Sequence, residues 1–165
     1  MERAIPIDLG IKWTAGAPVP TVLADEDNTY LVFDLCGTDL QGGQTGVITW
    51  TGLSAFMFGF PNDEAQHGHR LWRSNGEVPP YYEAVEVVDS TWLAELIETE
   101  RSHPNAPAQP FASSRHFVLL FHDSTFECIA TGYRVERRAE SSEAVVAELA
   151  KARLIPSHVT LRNAD

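Results

Sequence analysis

The chain has 165 residues, 44% hydrophobic and 21% charged, and its 23 acidic against 12 basic side chains leave a formal net charge of −11. That length suits one domain of the usual ~100–150 residues, which buries roughly 70% of its unfolded surface without a disulfide or structural metal. The acidity excludes a nucleic-acid backbone binder, which neutralises phosphates with clustered Lys and Arg, and an anionic membrane surface would repel the chain. It suits either a basic protein partner, approached under electrostatic steering, or simple solubility. Cys36 and Cys128 sit in apolar runs and read as buried thiols of a reducing compartment. With no leader-like N-terminus and no bilayer-length apolar stretch, a cytosolic protein is expected.

In chain order, Ile5, Ile7, Leu9 and Ile11 alternate as one strand face, and Gly16, Pro18 and Pro20 break it. Residues 21–24 and 29–36 predict a hairpin around the polar 25–28. A Gly-rich loop over 37–46 leads into strands 46–51 and 54–60, the second with Phe56 and Phe58 on one face. Residues 61–80 turn polar and irregular, and a connection that long is often functional. Strand 81–88 precedes an amphipathic helix over 90–102, capped by Asp89 or Ser90, with Trp92, Leu93, Leu96 and Ile97 on one face.

After a Pro-rich linker, residues 115–135 predict two central strands around the turn His122-Asp123-Ser124-Thr125. Pairing Phe121 with Phe126 places Leu120 opposite Glu127 and Val118 opposite Ile129. A second helix, 142–153, and a short strand, 158–162, complete the chain. Neighbouring strands with two late helices predict an α+β domain: a curved, mainly antiparallel sheet of about 7–8 strands with both helices on one face. The alternatives are a small β-barrel or a sandwich with appended helices.

Glu127 is the anomalous residue, a carboxylate among apolar neighbours that must find a partner or lose its charge, and so a candidate catalytic base. His122 and Asp123 in the turn are candidate binding residues. His122, Asp123 and Ser124 do not read as a triad, because adjacent turn side chains diverge while a triad converges. His67 and His69, one residue apart in an extended segment, point the same way and with His122 form a candidate site for a divalent transition metal. Cys128 has only apolar or acidic neighbours, which do not lower a thiol pKa. His103 suits a helix C-terminus, and His116 has no evident partner. Gly42-Gly43 lacks the residues of a phosphate loop. Trp50, Phe56, Phe58, Tyr81 and Tyr82 suit core packing or an apolar ligand cavity.

The sequence therefore points first to a non-catalytic binding or accessory protein that needs no cofactor. The alternatives are a small metal-dependent hydrolytic enzyme, with His67, His69 and His122 as ligands and Glu127 as base, and a small-molecule binder with an aromatic-lined pocket in the sheet.

Overall fold

The computed structural model describes residues 2–14, 16–36, 44–73 and 83–154. The expected strand at 158–162, the loop at 37–43, residues 74–80 of the long connection, and Tyr81 and Tyr82 lie outside the described residues.

Among the described residues, nine strands form two antiparallel sheets, each accompanied by one α-helix, so the chain is α+β. The five-stranded sheet holds, in spatial order, β1 (Arg3–Ile7), β6 (Ala84–Val88), β7 (Arg115–Leu120), β8 (Thr125–Ala130) and β5 (Ala55–Gly59). The four-stranded sheet holds β2 (Thr21–Ala24), β3 (Thr29–Asp34), β4 (Thr45–Thr51) and β9 (Gly132–Arg138). Their inner faces pack together as one core. Leu31, Phe33, Ile48 and Trp50 from one sheet meet Phe117, Leu119, Phe126, Cys128 and Ala130 from the other. Trp50 stacks on Phe126 with ring centroids 5.5 Å apart and lies 5.3 Å from Phe117. Each such ring, fully buried, contributes about 1.5–3 kcal/mol.

The single curved sheet expected from the sequence is thus divided in two, as in the sandwich alternative. The division occurs at two adjoining corners. The chain leaves β4 at Thr51 and re-enters the other sheet at Ala55, and it leaves β8 at Ala130 and crosses back at Gly132. Thr131 ties the corners by donating from its amide (2.9 Å) and its hydroxyl (2.8 Å) to the Thr51 carbonyl. Gly52 turns there at φ +55°, where a Cβ would come within 2.7 Å of Thr131 Oγ1.

The first strand ends earlier than its alternation suggests. Asp8 Oδ1 accepts from the Gly10 amide at 2.8 Å and Gly10 takes φ +70°, so Leu9 and Ile11 fold inward while Ile5 stays exposed. The β7–β8 register differs by two residues from the expected one: Leu119 faces Phe126 and Val118 faces Glu127. The Phe121 amide bonds the Ser124 carbonyl at 2.9 Å, so the loop is the two residues His122 and Asp123, shorter than the expected turn over residues 122–125. A shift of two preserves the faces, and Glu127 keeps its outward side.

The two helices divide between the sheets. α2 (Ser142–Leu154) lays Val145, Val146 and Leu149 on Val32 and Val47 of the four-stranded sheet. On the five-stranded sheet, Leu71 and Trp72 cover Val85, Val87, Val118 and Leu120, with α1 (Thr91–Arg101) alongside. Among the described residues no helix is long and apolar enough to cross a membrane.

Candidate functional site

The site forms where residues 61–73 fold over the outer face of β7 and β8. A 3₁₀ helix, Asp63–Gly68, starts at Asn62, whose side chain accepts from the Ala65 amide at 3.2 Å. Side chains then anchor it. Thr125 Oγ1 donates to the Pro61 carbonyl (2.9 Å) and accepts from Gln66 Nε2 (2.8 Å), while Trp72 Nε1 donates to the Gln66 carbonyl (2.6 Å). Leu71 and Trp72 are thereby seated in the apolar cluster, and His69 and Arg70 are delivered over β8.

Glu127 lies beneath them, 3% exposed. His116 Nε2 stands 2.7 Å from its Oε1 and His69 Nε2 3.4 Å from its Oε2, and the Arg70 guanidinium hydrogen-bonds Oε1. Burial pushes the Glu127 carboxyl up. The hydrogen bonds from His116 and His69 and the charge of Arg70 outweigh it and lower the pKa to about 2. The carboxylate is therefore ionised and accepts only. His69 Nδ1 accepts from the Leu71 amide at 3.3 Å, so its proton sits on Nε2, facing Glu127, while the ring stacks on Trp72 at 4.5 Å. Arg70 also lies 5.8 Å from the Trp92 ring centroid and 3.8 Å from Glu2 Oε1.

His116, buried on the same face of β7, is diagonal to Glu127 across the strand pair. Its Nδ1 is 2.8 Å from Ser90 Oγ. In the tautomer that gives Nε2–H to the carboxylate, Nδ1 accepts and the Ser90 hydroxyl donates to it. Ser90 Oγ in turn caps α1, accepting from the Leu93 amide at 3.0 Å. Glu2 completes the first turn through the Thr91 amide and hydroxyl, both at 2.8 Å. Five side chains from four places in the sequence thus form one hydrogen-bonded network.

Of the residues singled out from the sequence, the structure brings Glu127 and His69 together and leaves His67 exposed. The two histidines do not point the same way, because residues 63–68 form a 3₁₀ helix with His69 as its C-cap, and at three residues per turn i and i+2 diverge. His122 bonds Asp63 Oδ2 at 2.6 Å and has Asp123 3.9 Å away, and the Asp63 bond raises its pKa. Among the described residues no group of three or more His, Cys, Asp or Glu is disposed to hold a metal ion. Ser124 is buried, away from any triad with His122 and Asp123. Cys128 is buried, and burial raises its thiol pKa well above the ordinary value. Trp50 belongs to the core, whereas Phe56 and Phe58 are exposed on the terminal strand β5. His103 is exposed past the α1 C-cap, with its Nδ1 accepting from the Asn105 amide at 3.1 Å. His116, with no evident partner in the sequence, has two. Its signal was the alternation itself, which sets it and Glu127 on one face.

Two cavities flank the network. One, of about 470 Å³, opens between β5 and the 61–73 segment, with Met57, Phe58 and Phe60 on one side and His69, Arg70 and Arg73 on the other. The second, of about 460 Å³, lies between β6 and α1, with Ser90 and His116 in its wall. Comparison with protein-family models, curated proteins and solved structures finds no match to the chain.

Proposed function

We propose that the protein is a binding protein for a small amphipathic anion, an apolar body carrying a carboxylate or similar group, held in the cleft between β5 and residues 61–73. The observation that carries this reading is the facing of unlike walls. Met57, Phe58 and Phe60 are 44%, 43% and 86% exposed, an unusual concentration of apolar surface for one strand end. Across from them stand Arg70 and Arg73. Arg70 is already paired with Glu127, but Arg73 makes no side-chain ion pair among the described residues. In a chain of net charge −11, a guanidinium with no ion pair among the described residues, set beside an apolar wall, is where an anionic ligand gains most. Covering one exposed Phe contributes about 1.5–3 kcal/mol, and a charge-assisted hydrogen bond to Arg73 about as much again.

Octanoate, octan-1-ol and octylammonium share a body and differ in head group, so their melting-temperature shifts separate the two walls. A ligand bound only by the folded chain must raise the transition. Octanoate should give the largest rise, octanol a smaller one and octylammonium none, and Arg73→Gln should reduce the octanoate response to that of octanol. Equal responses to all three would remove the anionic specificity, and no response to any would remove the site.

A further inference from the structure

We propose that Ser90, His116 and Glu127 form a second, catalytic site, a serine acyl-transfer centre opening into the cavity between β6 and α1 and taking small neutral esters with an apolar acyl chain. It lies on the far side of His116 from the amphipathic-anion cleft and goes beyond that reading, since a binding cleft needs no nucleophile.

The relay has the connectivity of a nucleophile, base and orienting carboxylate. Ser90 Oγ is 2.8 Å from His116 Nδ1, and His116 Nε2 is 2.7 Å from Glu127 Oε1. The nitrogens are used in the opposite sense to the familiar serine hydrolase arrangement, in which the base nitrogen is Nε2. Imidazole chemistry permits either, provided the carboxylate holds the proton on the nitrogen remote from the hydroxyl. The three groups come from the β6–α1 junction, β7 and β8, so they converge through the fold and not through sequence adjacency.

Ser90 sits on a tight strand-to-helix turn and is buried, so a substrate reaches it only from the cavity it helps to line. Asp89 immediately before it takes φ +56°, a conformation that costs a non-glycine residue energy and is found disproportionately at functional sites. Ser90 stands in the wall of a cavity of about 460 Å³ that is also lined by Val87, Leu93 and Ile97. In the first turn of α1, Thr91 gives its amide to Glu2 and Leu93 gives its amide to Ser90 Oγ. The Trp92 amide, which has no such partner among the described residues, is left as the donor for a developing oxyanion. Glu86 at the cavity rim is neutralised by its ion pair with Arg115, so the wall is largely apolar with no net excess of positive charge, and a neutral ester is assigned.

In the reaction, Ser90 Oγ attacks the ester carbonyl and its proton passes to His116 Nδ1. The tetrahedral intermediate collapses as the C–O bond to the alcohol breaks, and His116 returns the proton to the departing alkoxide. Water, deprotonated by the same nitrogen, then cleaves the Ser90 acyl ester, releasing the carboxylic acid and restoring the hydroxyl.

The test treats the full-length chain with an alkyl fluorophosphonate, which forms an Oγ–P bond and expels fluoride, and maps the adduct by peptide mass spectrometry. In parallel, p-nitrophenyl butyrate hydrolysis is compared between the wild type and Ser90→Asn. Asparagine caps a helix as well as serine does, so this variant removes the nucleophile while keeping α1. Expected are an adduct on Ser90 that is lost when the chain is unfolded in guanidinium before labelling, and a hydrolysis rate at least about 100-fold lower in Ser90→Asn with a melting temperature close to wild type. An unlabelled Ser90, an adduct on another serine, or wild-type hydrolysis by Ser90→Asn would each overturn the assignment. None of these readouts depends on whether octanoate binds.

Discussion

Glu127 is held by opposing effects whose balance fixes its pH behaviour. Burial alone would neutralise it, yet His116, His69 and Arg70 together lower its pKa to about 2 from an ordinary 4.5. A folded-state value below the unfolded one means that the contribution to stability is complete above about pH 4.5 and is lost as pH falls toward 2. At about 1.4 kcal/mol per unit, that contribution is on the order of 3 kcal/mol, roughly two-thirds of it gone by about pH 3. Glu127→Gln keeps the shape but places an amide among donors, so it should destabilise the chain by about 3–5 kcal/mol near pH 6. Urea denaturation at both pH values checks this. The wild type should lose about 2 kcal/mol more than the variant between pH 6 and pH 3, because the other carboxylates are common to both. Equal losses would mean that Glu127 is not held in its ionised form. This residue was legible in the sequence because a carboxylate in an apolar alternation conflicts with its surroundings. Ser90 and Arg70 were not, since each satisfies an ordinary local role and acquires its second partner only through tertiary structure.

Among the elements, periodicity marked the strands and α1, while the chain's turning points were harder to read. Two residues of register in the β7–β8 hairpin depended on whether His122-Asp123 or all of 122–125 formed the loop, and both choices leave the same side chains outward. The 3₁₀ helix at Asp63–Gly68 had no apolar repeat to betray it, because its anchors, Gln66 and Trp72, bond through Thr125 and through each other. The corner at Gly52 was visible only as a glycine, although it decides which sheet β5 joins. Gly52→Ala must accommodate both φ +55° and a Cβ 2.7 Å from Thr131 Oγ1, and should cost about 1–3 kcal/mol. Gly132→Ala, at the neighbouring corner but with nothing within 4 Å of the added Cβ and no positive φ, should stay within about 0.5 kcal/mol. Equilibrium denaturation of the two variants measures the contrast. Similar costs would show that the close approach to Thr131 is not what constrains the first corner.

At the scale of the whole molecule, the partition into two sheets was not readable from neighbouring strands, because both crossings occur within a few residues and leave alternation intact on either side. Charge was readable and has a consequence for stability as a whole. The net −11 is concentrated in the compact state, where like charges repel more than in the extended chain. Surface ion pairs such as Arg101–Glu98, Arg134–Glu136 and Arg138–Glu148 offset this, but each is worth about 0–1 kcal/mol and salt weakens them. The repulsion involves many more pairs at longer range, so screening should relieve more than it removes. The Arg70–Glu127 contact is largely shielded from solvent ions and should change little. Raising NaCl from about 0.01 M to about 0.1 M shortens the Debye length from about 30 Å to about 10 Å, less than the span of such a domain. The melting temperature should therefore rise by a few degrees, equivalent to about 1 kcal/mol for a chain of this length. A fall over the same range, measured by differential scanning calorimetry at constant pH, would mean that the surface ion pairs outweigh the self-repulsion of the acidic chain.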